Sequence, residues 1–272
     1  MPPDRMSPQV FAILSALVLD RCGMHFDTGH APIFGDKVAA RAQEAGFESL
    51  LDYYYFLRYD AGGSKELDAL IEALVVGETY LFRELPPLEA VVNELVVPAV
   101  AAGRRPRIWC AACSTGEEPH TLAMLLASRG ILGEVEIVAS DISTRSLDRA
   151  RSGRFSRRAL RQEVPAFAAG LLEVDERGIA VARRLTEAIR WQQVNLIDDA
   201  AVAALGTFEV VLCRNVLIYF NDKTAREVID RLAGRLTGGG TLLVGVSESL
   251  LRFGTQLACE EQAGVFMYKK VS

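Results

Sequence analysis

The chain has 272 residues, half of them hydrophobic, enough to bury one large domain or a domain with a smaller companion, which argues against wholesale disorder. A net charge of −5 argues against a nucleic-acid-binding surface as the main function. No stretch approaches the ~20 apolar residues of a membrane span; the best run, residues 11–19, is short and lacks the basic start and small-residue cleavage site of a signal peptide. The cysteines Cys22, Cys110, Cys113, Cys213 and Cys259 are odd in number and scattered, which suits reduced thiols and a cytoplasmic protein.

The first hundred residues read mostly as helix. Ser7 precedes an apolar-rich run to Val18, and Leu67, Leu70, Ile71 and Leu74 recur at helical spacing within residues 65–76, with Ser64 in position to cap them. A further helix is expected over residues 84–100, entered through Pro86-Pro87 and ending near Gly103. Beyond residues 101–106 the pattern changes. Strands are predicted over residues 107–111, 134–140, 208–213 and 241–246, and helices over 117–128, 144–151 and 223–236, with Gly238-Gly239-Gly240 stopping the last helix. Such alternation implies a mostly parallel sheet with helices on both faces. Between Pro165 and Asn195 the rhythm breaks, and short strands at 179–184 and 188–194 suggest a small antiparallel excursion. The expected division is a helical N-terminal domain over 1–103 and an α/β domain over 104–272 carrying a β-subdomain near 165–193. The basic run RSGRFSRRALR (151–161) reads first as a solvated face, with a local basic patch as the other reading.

The stretch IWCAACSTGEEPH (108–120) allows three readings: redox pair, metal site or ligand loop. A reactive Cys-x-x-Cys belongs at a helix start, where the dipole lowers the first thiol's pKa. Here the helix should begin after Gly116, with Pro119 in its first turn, leaving Cys110 inside the strand. A zinc site needs a second Cys/His pair at ligand spacing, and none is present, so no metal is expected. The third reading fits best: strand, small-residue loop and helix N-terminus form the ligand-binding corner of doubly wound sheets. Phosphate-binding versions leave that N-terminus free for an anion. This one carries Glu117 and Glu118, which repel a pyrophosphate and welcome a cation; Glu117 also suits simple stabilisation of the helix dipole.

The second strand ends in Asp141, about 25 residues past Gly116, a common place for a carboxylate that binds both ribose hydroxyls. A helix cap is the alternative role for Asp141. A nucleoside with a positively charged tail matches both features, and S-adenosylmethionine is such a molecule. Asn195 would follow a third strand on the ligand side, and Arg214 and Asn215 directly follow the apolar strand FEVVLC.

Taken in order, GETYLFRE (77–84), IWCAACSTGEEPH (108–120), ASDIS (139–143), VNLID (194–198), LCRNVLIYF (212–220) and GGGTLLVGVSESL (238–250) resemble the CheR-type chemoreceptor glutamate methyltransferases over most of the chain. The resemblance implies a Rossmann-like S-adenosylmethionine methyltransferase sheet, an all-α N-terminal domain and a small antiparallel β-subdomain. It implies transfer of the cofactor's methyl group, leaving S-adenosylhomocysteine, to glutamates in cytoplasmic helices of chemoreceptor-like proteins, by a monomer that neither inserts in membranes nor binds nucleic acid. Family cofactor contacts fall on Thr79, Arg83, Glu118, Asp141, Asn195, Leu196, Arg214 and Asn215, with Glu118 meeting the methionine ammonium and Asp141 the ribose. Arg83 and Tyr219 would lie near the transferring methyl as catalytic residues.

The chain departs from the family where Gly77 replaces a frequent Asn, Ala112 a glycine and His120 a tyrosine. The N-terminal helix usually rich in arginine offers only Lys37 and Arg41, and the β-subdomain turn EVDERG (173–178) is short. Two rival functions remain at this point: methylation of another protein carboxylate, and a cofactor-binding regulator without turnover.

Overall fold

A computed structural model describes residues 6–271. It divides into two compact units, one running to Val76 and taking in Tyr219–Thr224, the other comprising Gly77–Ile218 and the chain from Ala225. The sequence reading drew its border at 103 on the change of composition. The contacts group the helix before that point with the sheet, because its apolar residues Leu88, Val91, Val92 and Val96 are buried in the same core as Ile108 and Ile137.

The first unit is helical. Helix α1 (Pro8–Cys22) is capped by Ser7, whose hydroxyl accepts the Val10 N–H at 3.3 Å, and closes on left-handed Gly23. α2 (Ala31–Glu44), α3 (Leu50–Tyr59) and α4 (Gly63–Leu74) follow, packing Leu14, Val18, Phe34, Val38, Leu57, Leu70 and Leu74 together with little or no exposure. α4 starts before the expected Ser64 cap. Its N-cap is Gly62, and a Cβ at Gly63 would meet the Phe56 carbonyl oxygen at 2.3 Å, so the chain turns tightly against the end of α3 where only glycine fits. One polar knot is half-buried here: Arg41 donates to both oxygens of Glu66, at 2.7 and 2.6 Å, and the Tyr53 hydroxyl donates to Glu66 at 2.8 Å. Burial alone would raise the Glu66 carboxyl, but these bonds hold it below its ordinary value. Lys37 donates to the Leu74 carbonyl at 3.1 Å, so both basic residues of α2 are committed within the unit.

The second unit opens with a helix in three registers: α5 (Leu85–Ala90), a π-helical turn (Val91–Val96) and α6 (Val97–Ala101). Pro98 lacks an N–H, and its ring would crowd the carbonyl one turn back; the ladder widens just before it, with the Val97 N–H reaching the Val92 carbonyl. Next come β1 (Arg107–Ala111), α7 (Glu117–Ser128), β2 (Glu136–Asp141), α8 (Thr144–Ser152), β3 (Arg154–Phe155), β4 (Leu172–Asp175), β5 (Gly178–Val181), α9 (Arg183–Glu187), β6 (Ile189–Gln193), α10 (Asp199–Ala204), β7 (Phe208–Cys213), α11 (Asp222–Arg235), β8 (Leu236–Val244), β9 (Ala258–Gln262) and β10 (Val265–Lys269).

The main sheet runs β6-β2-β1-β7-β8-β10-β9, parallel through β8 and closed by the antiparallel β10 and β9. The strand order reverses between β1 and β7, which opens the crevice where such sheets bind ligands, beyond the strands' carboxyl ends.

Two expectations are corrected. The strand at Ile189–Gln193 belongs to the main sheet, parallel to β2, not to the antiparallel excursion. The small sheet is instead β3-β5-β4, inserted in the β2–β6 crossover and closed at its base by the Val181 N–H donating to the Gly153 carbonyl at 2.9 Å. The triple glycine does not end the last helix either. α11 stops at Arg235, and residues 238–240 form an irregularity inside β8, where pairing with β7 shifts register between Phe208 and Val210.

His120 is fully buried in α7. Its Nδ1 lies 2.6 Å from the Gly116 carbonyl and its Nε2 3.0 Å from the Thr186 hydroxyl, a pattern that assigns the neutral tautomer with the proton on Nδ1. Burial pushes its pKa down to about 4. An unfolded histidine titrates near 6.5. The folded form therefore binds fewer protons than the unfolded one, and stability falls as pH drops from about 6.5 towards 4, by up to roughly 3 kcal/mol. Urea unfolding at pH 7 and pH 4.5 is expected to show this loss in the wild type and a smaller one in His120→Gln; equal losses would reject it.

Candidate functional site

Five loops meet at the carboxyl edge of the sheet. Residues 112–116 leave β1, 142–143 leave β2, 194–196 leave β6, 214–217 leave β7 and 245–248 leave β8. The segment 77–84 is bound alongside, with the Phe82 N–H donating to the Thr121 hydroxyl of α7 at 3.1 Å. Six non-glycine residues of the described chain adopt left-handed backbone, and five of them stand in these loops: Phe82, Glu84, Ala112, Ser114 and Asn215. Strain of this kind persists where the surroundings over-determine the backbone, commonly at ligand sites.

The β1 loop turns through Ala112 (φ 54°), Ser114 (φ 50°) and Gly116 (φ 93°). A Cβ on Gly116 would lie 2.6 Å from that of Ala150, so glycine is required there twice over, by φ and by space. Ala112 occupies a conformation glycine adopts without penalty. Ala112→Gly is expected to stabilise the fold by about 0.5–1 kcal/mol, relief of backbone strain outweighing the added freedom of the unfolded chain. A melting temperature unchanged or lower would contradict it.

The cysteines of this loop lack the exposed, helix-start setting of a reactive pair. Cys110 lies in β1 and Cys113 just after it, both are buried and unbonded to one another, and burial pushes both thiols well above their ordinary pKa.

Asp141 ends β2, nearly buried, and its carboxylate is held at both oxygens: Oδ2 accepts the Ser114 N–H at 2.7 Å and Oδ1 the Ser143 N–H at 2.9 Å. The acid is thus aimed by two loops. Asn195 accepts the Ile197 N–H at 3.3 Å, and Leu196 beside it is buried.

At the centre lies Arg214, its side chain 2% exposed. Nη1 donates to Glu118 at 2.7 Å; Nη2 donates to the Glu84 carboxylate at 3.0 Å and to the carbonyls of Arg83 and Glu84. Burial would raise the Glu84 carboxyl, but Arg214 and the Val246 N–H hold it below its ordinary value. For Glu118 burial prevails over the pull of Arg214 and moves the carboxyl up. Glu117 is also buried and shifted up by burial, its carboxylate accepting the Thr115 hydroxyl at 2.7 Å. Its surroundings are thus more enclosed than a role at an exposed helix start would require.

Two acids that the sequence reading left without a role complete the frame. Glu84 accepts from Arg214, from Val246 N–H at 3.2 Å and from the Asn215 amide at 3.4 Å, joining the loops after β7 and β8. Glu248 is buried and accepts three backbone N–H groups, from Asn215 at 2.6 Å, Gly245 at 2.9 Å and Leu217 at 2.9 Å. The loops approach so closely that a Cβ on Gly245 would fall 2.6 Å from the Asn215 amide nitrogen. Both glutamates lie inside stretches singled out by motif; nothing local distinguishes them from surface acids.

Arg83 donates to the Glu78 carbonyl at 3.2 Å and is half-buried, and Thr79 stands four residues before it, also half-buried. Tyr219 belongs to the helical unit, where its carbonyl accepts the His25 N–H at 2.8 Å.

The site's unmade bonds describe a ligand. Among the described residues, the Ser114 hydroxyl and Arg214 Nε are buried without a partner. An orphan hydroxyl, an orphan guanidinium N–H and the carboxylates of Glu118 and Asp141 together offer donors and acceptors to a ligand carrying hydroxyls, an ammonium and a carboxylate. S-adenosylmethionine has all three.

Comparison with known proteins bears on the same point. A family model described as "CheR methyltransferase, SAM binding domain" matches residues 77–265, and one described as "CheR methyltransferase, all-alpha domain" matches residues 9–75. Among curated relatives, "Chemotaxis protein methyltransferase 2" of Vibrio cholerae is 34% identical, covering 85% of this chain and 82% of its own. "Chemotaxis protein methyltransferase" of Vibrio parahaemolyticus is 36% identical over 90% of each. "Probable biofilm formation methyltransferase WspC" of Pseudomonas aeruginosa is 32% identical over 78% of this chain and 51% of its own.

Proposed function

The chain belongs to the CheR methyltransferase family, S-adenosylmethionine being its cofactor, and we propose that it methylates glutamate side chains on cytoplasmic helices of a chemoreceptor-like protein. The observation that carries this reading is the β1/β7 switch point, where a doubly anchored Asp141 and the Glu84–Arg214–Glu118 array leave the Ser114 hydroxyl and Arg214 Nε buried without partners. The names of the Vibrio relatives support chemotaxis as the setting.

Bound there, the cofactor supplies a methyl group already activated by its sulfonium. The residues of this chain have the simpler work of binding and alignment. A glutamate carboxylate, with pKa about 4.3, is ionised at neutral pH, so no general base has to remove a proton. Catalysis then rests on orientation and exclusion of water. We assign Asp141 to the ribose hydroxyls, Glu118 to the ammonium, Asn195 and Leu196 to the adenine, and Thr79, Arg214 and Asn215 to the remaining cofactor contacts. Arg83 steers the incoming carboxylate by charge, and Tyr219 holds it by a hydrogen bond. The enzyme is proposed to act as a cytoplasmic monomer; among the described residues no helix is long and apolar enough to cross a membrane.

The test is incubation with methyl-labelled S-adenosylmethionine and receptor-rich membranes. Base-labile label on a receptor-sized protein is expected, abolished in Asp141→Ala through loss of cofactor binding and reduced in Tyr219→Phe with binding intact. Cofactor binding without any label would reject the receptor assignment. Two observations favour a second acceptor: the basic residues of α2 are committed internally, and two relatives, from Pseudomonas aeruginosa and Pseudomonas putida, are named for biofilm formation. A receptor-like protein of a separate signalling pathway is the alternative acceptor, and label confined to it would select that reading.

A further inference from the structure

The basic run 151–161 is not uniformly a solvated face. Two of its arginines are engaged, Arg151 with Asp148 at 2.9 Å and Arg161 with Glu78 at 3.1 Å. Arg154, Arg157 and Arg158 are exposed, and among the described residues none of the three has an ion-pair partner. Three unneutralised arginines within five residues are conspicuous on a chain of net charge −5. The carboxylates facing them are Glu163, farther along the same segment, and Glu173, which shares a row of the small sheet with Arg154 through Ala180; neither comes within ion-pairing distance.

This cluster is tied to the site. The Leu81 N–H donates to the Ala159 carbonyl at 2.7 Å, and the Gln162 amide donates to the Phe82 carbonyl at 3.2 Å, so residues 157–162 run alongside the segment that carries Thr79 and Arg83. Tyr80 is shared by two guanidinium groups: that of Arg161 is 4.4 Å from its ring centroid and that of Arg83 is 5.7 Å away. The open arginines therefore stand on a segment whose next arginine, Arg161, though paired with Glu78, shares the Tyr80 ring with Arg83.

We propose that Arg154, Arg157 and Arg158 form the docking surface for the protein substrate, gripping carboxylates on its helix and leading the target glutamate towards Arg83. The proposal rests on the glutamate-methylating reading above. Carboxylates three or four residues apart on a helix lie about 5–6 Å from one another, a spacing that a short cluster of arginines can meet. The acids Glu163, Glu173, Asp175 and Glu176 on the same excursion would oppose a continuous phosphate backbone, so a protein with discrete carboxylates fits better than a nucleic acid. The committed state of Lys37 and Arg41 in α2 is consistent with recognition by charge being placed in the second unit.

The test is the triple variant Arg154→Glu/Arg157→Glu/Arg158→Glu, compared with the triple lysine variant, in full-length protein. In low salt, charge reversal is expected to raise KM for receptor-rich membranes about tenfold or more and to flatten its salt dependence, while kcat and cofactor Kd stay unchanged; lysine should restore most of the affinity. An unchanged KM and salt slope would overturn the proposal. So would a variant that loses binding to an oligonucleotide while methylating normally. If charge reversal lowers the melting temperature, the triple glutamine variant is read by the same criteria. If wild-type enzyme labels no receptor, the catalytic reading fails on its own, and docking is read from titration of a purified receptor cytoplasmic fragment. Binding lost on reversal then supports the surface, and equal binding rejects it.

Discussion

Arg214→Met is expected to lower folding stability by about 3–5 kcal/mol, because it strands the Glu84 and Glu118 carboxylates without their shared cation. The loss should depend on pH with a definite sign. Glu84 is held below its ordinary pKa in the folded protein, so its pairing stabilises above the carboxylate range and fades as pH falls through it. The gap between wild type and variant should thus be widest near neutrality and narrow towards pH 4. Glu118 acts in the same direction in this comparison, since protonation relieves an acid left unpaired by the substitution. Urea unfolding across pH 4–8 measures the effect. A constant gap would mean that packing, not charge, accounts for the loss.

The second large effect is expected at Glu248. Replacing it with alanine removes the acceptor of three backbone N–H groups at once, those of Asn215, Leu217 and Gly245. Each orphaned buried donor costs about 1–3 kcal/mol, so a loss of roughly 3 kcal/mol or more is expected. Glutamine is the finer probe. With its oxygen in place of Oε2 it keeps Asn215 and Gly245 but sets an NH2 group against the Leu217 N–H, which predicts an intermediate loss. Because the same bonds hold Asn215 in left-handed backbone, cofactor affinity should fall in step with stability in the two variants. Full cofactor affinity in the alanine variant would show that Glu248 does not set the turn.

The parts of this fold written in local pattern were legible. The continuous apolar runs of β1 and β7 and the acid-bearing helix after Gly116 appear at the residues expected, since burial on both faces of a central strand leaves few alternatives. Ile189–Gln193 was misplaced because a short alternating strand carries no mark of which sheet it will join. The triple glycine misled because glycine reads equally as a helix stop and a strand irregularity. In the site, Asp141 and Arg214 could be picked out as polar residues at strand ends. Glu84 and Glu248 could not: Glu84 meets Arg214 across 130 residues and Glu248 meets Asn215 across 33, and no local signal encodes such meetings. Nor does an alanine announce the left-handed turn that Ala112 makes.

The three-stranded insert leaves and re-enters the chain at neighbouring points, closed by the hydrogen bond between Gly153 and Val181. Such a closed excursion behaves as an exchangeable cassette. Its outer face can diverge, or be transplanted between homologues as a chimaera, while β2 and β6 go on pairing beneath it. Its inner face limits the freedom of exchange: Phe155, Ile179 and Val181 are buried in the same core as Ile108 and Leu122, and a graft must keep both the Ala159 carbonyl that receives Leu81 and the Gln162 amide that donates to Phe82. Acceptor preference could on this basis be reprogrammed within one contiguous segment, leaving the cofactor crevice as it stands.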